Sequence, residues 1–320
     1  IVGSAFDFKG AYYANHPIFG YIGEEIIDDQ EMIRIPKVYV KTGAAPAGSD
    51  QAGNICYWIS PESKDGFHLH PAFYDAGDPV DQFWWGAYKA TLSDDKLCSL
   101  NVSSTPLVST PMRGTNSFES YADARNTGGV TGFMLISIYQ LAIIQRLMLI
   151  EMGTTDAQAI VHPGHTSGTE VLNVNHTVER AASWRGINGL WGNATEFCEG
   201  FQQKSGTGEI QLWDRLGNKT WVDTGITGNT TTSWRYPVTL LVATGTGFDF
   251  SDLFWPVTYD ATYSNGTLAD AHYGGDTTDT HILRVCGYWN TGADAGLFYN
   301  NMFESPSSVF HGSGGRLAKV

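Results

Sequence analysis

The densest run of apolar positions lies at Phe133–Met152, where Gln140, Gln145, Arg146 and Glu151 interrupt it. No 18 consecutive residues there are apolar, so the run predicts a long core helix and not a membrane span, stopped by Gly153. Phe118, Tyr121, Ala122 and Arg125 recur at helical spacing. They predict a short helix over Ser117–Asn126, capped by Asn116 or Ser117 and ended by Gly128–Gly129. Strand-like patterns occupy Ile26–Lys41, interrupted at Pro36, and Ile55–Ser60. Others are Gly66–Phe73, Phe83–Thr91, Val238–Val242 and Ile282–Trp289. In Phe83–Thr91, alternation puts Trp84, Gly86 and Tyr88 on one face. The LWDRLGNKTWVDTG segment predicts a hairpin about Gly217–Asn218. Leu100–Met112, Thr154–Arg180 and Asn265–Thr280 read as polar loops. Residues 1–22 read as an irregular lead-in whose apolar groups need a partner surface, either the main domain or a neighbouring subunit. With no repeat or linker, these elements predict one α+β domain at 26–320, built from small twisted antiparallel sheets and about two helices, behind a 1–25 lead-in or attachment segment.

The pattern centres on Ser183–Phe201, SWRGINGLWGNATEFCEGF. Trp184, Leu190, Trp191 and Phe197 supply large apolar area, and Gly186, Gly189 and Gly192 permit close backbone approach. A tight turn at Trp191–Gly192–Asn193 is expected, followed by a short strand into the core. Arg185 among aromatics predicts a buried pair or a stacked guanidinium. Trp184, Arg185, Gly186, Leu190, Trp191, Gly192 and Asn193 are therefore assigned to the structural core.

Composition narrows the class. The chain has 320 residues, 16% charged, 13% aromatic, with 37 glycines and a net charge of −14. That describes a loop-rich globular protein, far from disorder. Nothing basic is concentrated enough to neutralise phosphates, so no nucleic-acid partner is expected, and no membrane insertion. Cys56, Cys98, Cys198 and Cys286 lack paired zinc spacing. Cys198 and Cys286 sit in apolar patterns and read as buried free thiols. Asn101, Asn175, Asn193, Asn218, Asn229 and Asn265 head N-x-S/T sequons, a number near chance in so Asn- and Thr-rich a chain. The chain begins at Ile1 without Met, so upstream residues are expected to be missing or processed; no signal peptide is read.

Candidate chemistry is thin. His68 and His70 share a strand face, and His162 and His165 could complete a metal site, but nothing in the sequence joins the pairs. Asp94–Asp95, Asp249–Asp252 and Asp276–Asp279 are calcium candidates by composition alone. The expectation is no metal and no cofactor, with a structural calcium ion left open. No G-x-S-x-G elbow occurs.

SWRGINGLWGN-x4-C-x-G resembles the core signature of a lectin-like domain found at the ends of bacteriophage tail fibres. IRIPKVYVKTG, GFHLHPAF, FWWGAYKAT and GYWNTGADAGLFYNN…SPSS…GGRLAKV follow the same pattern in the same order. The likeness runs from about Ile26 to Val320. It points to the formylglycine-generating-enzyme branch of the C-type lectin-like fold, shared by phage tropism determinants and other variable proteins of diversity-generating retroelements. The enzymes of that branch carry reactive cysteines near the C terminus, and this chain has none after Cys286. Their sulfoxide-synthase relatives use a multi-histidine cluster that is not found here, and the Glu-Pro-Asn sugar motif of calcium-dependent lectins is absent.

What the resemblance implies is an adhesin and not an enzyme: a virion protein, the receptor-binding tip of a tail fibre. It would be a homotrimer, joined to other virion proteins through its N-terminal segment, and would recognise a host cell-surface receptor, protein or glycan. In the variable proteins the C-terminal stretch presents the ligand. That assigns the ligand-binding face to Tyr288, Asn290, Thr291, Asp294, Tyr299, Asn300, Asn301, Phe303, Glu304, Phe310 and His311, set among framework glycines and Trp289. Tyr and Asn are paratope-type residues. Two alternatives stand beside it: a structural decoration or assembly protein of the virion, and a formylglycine-generating-fold enzyme with altered chemistry.

Overall fold

The long apolar run folds as two elements. Phe133–Leu135 is a strand, and the helix begins only at Ile138 and ends at Met152. Ser137 restarts the chain: its hydroxyl accepts from the Gln140 amide, and the Gln140 side chain accepts from the Ser137 amide. Gly153, at φ +71°, closes the helix as expected. The computed structural model describes residues 11–264 and 267–320.

Both sides of the Ile138–Met152 helix are buried, which is why its pattern is apolar all round. The polar residues that interrupt it are ties. Gln145 donates to the Leu297 carbonyl at 2.8 Å. Arg146, fully buried, donates to the Lys41 and Ser251 carbonyls and the Thr42 hydroxyl, and lies over the Tyr57 ring. Glu151 accepts from Trp184 Nε1 at 2.7 Å and from Arg185 at 2.6 and 2.9 Å. Arg185 also stacks over Phe19 and Trp184, so it is both paired and stacked.

Two sheets flank this hub. The first runs Gly23–Ile27, Gln30–Pro36, Gln82–Gly86, Leu317–Lys319, Phe133–Leu135, antiparallel throughout. The second centres on Thr195–Gln203, paired with Glu209–Trp213 on one side and His281–Val285 on the other. It continues through Asn300–Asn301, His272–Tyr273 and Trp234–Leu240 to Pro256–Asp260. The Glu209–Trp213 and Trp221–Thr227 strands form the expected hairpin, with Trp213 opposite Trp221. A six-residue helix, Phe118–Asp123, is capped by Ser117, and single-turn helices occur at Ala157–Ile160 and Thr177–Ala181. The architecture is α+β, dominated by antiparallel strands.

Several boundaries differ from the sequence pattern. Ile26–Lys41 splits at Asp28–Asp29, both at positive φ, and again after Pro36. In Gly66–Phe73 only His68–Leu69 is strand, because Pro71 starts a 3-10 turn. Trp85, not Trp84, points into the core, and Tyr88 lies beyond the strand end at Gly86. The Ile282–Trp289 strand stops at Val285, where Cys286 and Gly287 take φ of +72° and +74°. Asn265–Thr280 is not all surface loop: Asp270, Ala271 and His272 are buried. Ile18 and Phe19, within the lead-in, are core residues whose apolar side chains find their surface within the domain, and the Gly23–Ile27 strand spans residue 25.

The Ser183–Phe201 segment forms the expected centre. Trp184, Leu190 and Trp191 are buried, Gly192 and Asn193 turn at positive φ, and the Thr195–Gln203 strand follows. Glu196 on that strand is gripped by Arg316 and by Lys89, all three buried. Burial works to raise the Glu196 carboxyl, but the two cations prevail and hold it below its usual value. Arg316 also donates to the carbonyls of Gly86, Asn188 and Gly189, tying both sheets to the central turn.

Candidate ligand-binding face

The Trp191–Asn193 turn sets the height of the C-terminal loops. The Asn193 carbonyl accepts from the Trp289 amide at 3.2 Å, and the Trp289 carbonyl accepts from the Gly168 amide at 2.7 Å. Asn193 itself is buried, and its amide is spent on both backbone groups of Leu172. That leaves this sequon nothing to offer a glycan; Asn265 lies outside the described residues.

From this platform an aromatic cluster rises to the surface. Tyr288 meets Trp289 at 5.4 Å and Phe310 at 5.3 Å, both edge-on; His311 lies 4.4 Å from Phe310 and 5.6 Å from Trp289. Tyr288, Trp289 and Phe310 are half-buried and His311 is exposed. Edge-to-face packing keeps such rings rigid while leaving faces free. A Cβ on Gly312 would stand 2.6 Å from the Tyr288 ring, so the glycine makes this contact possible.

Beneath the cluster lies a polar network. Arg284, buried, donates to Ser313 Oγ at 2.9 Å and Asn301 Oδ1 at 3.1 Å, and its guanidinium sits 5.0 Å from the Phe310 ring centre. Asn301 donates to the Tyr299 hydroxyl and accepts from the Phe303 amide. Glu304 approaches Arg284 at 3.5 Å.

This corrects part of the sequence expectation. Tyr299 is 1% exposed, and Asn300 and Asn301 are buried. Asn300 and Asn301 form a strand between His281–Val285 and His272–Tyr273, and Asn300 pairs with His272. They support the face and do not present it. Burial pushes the Tyr299 hydroxyl up to about 12. Asn290 and Phe303 are exposed, and Thr291 caps the turn by accepting from the Tyr288 amide. Asp294 lies apart from the cluster, accepting from the Tyr236 hydroxyl at 2.7 Å.

A second aromatic row escaped the sequence reading. Exposed Phe303 meets Tyr273 edge-on at 5.7 Å, Tyr273 meets Trp234 at 5.0 Å, and Trp234 leans over buried Tyr299. Trp234 is 40% exposed. The only sequence signal was an isolated Trp and Tyr in polar segments, which says nothing of their meeting.

The histidines are engaged locally. His68 pairs with Asp252 at 2.6 Å, and His70 bonds the Asp252 carbonyl and the Ala72 amide. Burial pulls His70 down to about 3. Asp252 also takes two bonds from Arg215. His162 accepts from the Gly164 amide, and His165 bonds the Glu170 carbonyl. Of the calcium candidates, Asp249 caps a 3-10 turn and Asp276 bonds Thr278 and His281. Among the described residues no three His, Cys, Asp or Glu side chains converge as a metal-binding group. Cys98, Cys198 and Cys286 are buried free thiols and Cys56 is half-buried. Burial pushes Cys198 and Cys286 up, away from thiolate character. No described helix is long and apolar enough to cross a membrane.

No family model matches the chain, and no curated protein matches it. Among solved structures it is similar to three variants of the Major Tropism Determinant. The U1 variant is 16% identical at a TM-score of 0.34, the M1 variant 14% at 0.38, and the P3c variant 12% at 0.38. They cover 90%, 90% and 89% of this chain. The chain spans 62% of the length of the first two and 72% of the third.

Proposed function

We propose that this chain is the receptor-binding part of a phage tail fibre, and that it holds a host cell-surface ligand against its C-terminal loops. The observation that carries the reading is the Tyr288–Trp289–Phe310–His311 cluster: rigid rings at the surface, fixed from below by Arg284. Rings held this way offer contact area at little entropic cost, which is what a paratope needs. The ordered sequence motifs support the same reading, as does the C-type lectin-like fold of the formylglycine-generating branch that they imply. In this reading the protein acts by binding, without cofactor or reaction. The buried, proton-retaining cysteines weigh against formylglycine-generating chemistry. It sits on the virion surface as a homotrimer, joined to other virion proteins by its N-terminal segment, so that several weak sites act together.

The test is the double variant Tyr288→Ser, Phe310→Ser. Losing two half-buried rings should lower its folding stability by about 1–3 kcal/mol in all, leaving a folded protein, while adsorption of the labelled protein to host bacteria is lost. Undiminished adsorption by a folded double variant overturns the reading.

A further inference from the structure

A separate cleft opens where the Gly292–Asp294 turn meets the Trp234–Leu240 strand and the Ala157–Ile160 helix. Its volume is about 390 Å³, within the range of small-ligand sites. Two tyrosines form one wall: the Tyr236 and Tyr263 rings lie 6.0 Å apart and inclined at 59°. Two carboxylates line it beside them, Asp156 and Asp294. Each has one oxygen engaged, Asp156 Oδ1 by the Ala159 amide at 3.0 Å and Asp294 Oδ1 by the Tyr236 hydroxyl at 2.7 Å. The second oxygen of each has no hydrogen-bond partner within the described residues. The floor is preformed, because the Gln158 amide donates to the carbonyls of Gly292, Ala293 and Ala295.

The charge here is uncompensated. Among the described residues no Lys, Arg or His lines the cleft. Asp270, buried beneath Gly296, has its carboxyl pushed up by burial, against the lowering effect of the Phe298 amide it accepts from, and the charges of Asp156 and Asp294 raise it further. An anionic ligand would be repelled. A neutral saccharide would stack on the tyrosines but leave the two charges unmatched. A cation bearing N–H groups satisfies both features: its flat or methylene part lies on the rings and its donors meet the free carboxylate oxygens.

We infer that this cleft takes a guanidinium or ammonium group on an apolar stem, that is, an arginine or lysine side chain of a protein partner. Only the source of the cation rests on reading the C-terminal surface as receptor-binding; the recognition chemistry rests on the cleft alone.

The experiment follows the methyl signals of Ala159, Ala269 and Ala293, which line the cleft, in alanine-methyl-labelled protein. The probes are Nα-acetyl-arginine amide, Nα-acetyl-lysine amide, choline and methyl α-galactoside, each at millimolar concentration. Either amino-acid amide should shift these signals, less so as salt is raised. Asp156→Asn and Asp294→Asn should each weaken the response about tenfold. Asn preserves the Asp156 cap, and unshifted Ala142 and Ala318 methyls would report an intact core. Choline lacks N–H donors and should bind at least about tenfold more weakly. Equal or stronger binding of choline or the galactoside overturns the inference, as does silence from both amides. None of these outcomes bears on the adsorption test of the aromatic face, so the two readings fail separately.

Discussion

The guanidinium of Arg284 lies 5.0 Å from the centre of the Phe310 ring while its nitrogens hold Ser313 and Asn301. One buried cation thus fixes the ring it stacks on and the strand that shapes the loop beside it. Burial lowers its affinity for its proton, and Tyr299 and Glu304 oppose that.

Arg284→Lys separates these roles. Lysine keeps the charge but loses the planar fork and the stacking face. Stability should fall by about 1–3 kcal/mol, and adsorption should fall further than Tm alone accounts for, because Phe310 loses its support. Thermal melting beside a cell-binding assay checks this. Full adsorption despite a lowered Tm would remove Arg284 from the binding argument.

Tyr299→Ser should behave unlike changes at the surface. The side chain is fully buried and its hydroxyl accepts from Asn301. Removing the ring should cost about 3–5 kcal/mol through the cavity and the orphaned amide. Denaturant unfolding measures it. A variant that melts like the parent would return Tyr299 to the exposed face.

Glu196→Gln tests the knot that joins the sheets. It leaves Arg316 and Lys89 buried with no carboxylate between them, which should cost about 3–5 kcal/mol. A change under about 1 kcal/mol, read from urea midpoints at constant m, would show that the backbone carbonyls around Arg316 suffice.

Glu179 gives a pH dependence. Burial pushes its carboxyl from 4.5 up to about 7, with Lys89 and Arg316 opposing. The folded state therefore holds this proton more tightly than the unfolded state does. The contribution is whole below pH 4.5 and is lost as pH rises through about 7. Stability should decline between pH 5 and pH 8 by roughly 2–3 kcal/mol from this group, and Glu179→Gln should flatten that decline. Parallel curves for parent and variant across this range would refute the assignment.

What the sequence settled by itself was local. The helix start at Asn116 or Ser117, the Gly153 stop and the hairpin at Gly217–Asn218 depend on residues a few positions apart, and short-range geometry decides them, whereas the Ser137 cap that splits the long apolar run was not read. The burial of Trp184, Leu190 and Trp191 followed from apolar area that has to leave water. The candidate face was legible only as a region. Glycines at 287 and 312 announced tight loops, but not which aromatics would face outward. Tyr299 and Phe303 are four residues apart in similar contexts; one is 1% exposed and the other 50%. What separates them is the pairing of Asn300–Asn301 with strands from His281–Val285 and His272–Tyr273, and the covering ring of Trp234. Such contacts join positions tens of residues apart, and their choice among many possible pairings is made by the packed whole. The same holds for Arg316 reaching Glu196, 120 positions away. A charge read in sequence is a solvated one by default, and only the closed core made this pair a buried tie.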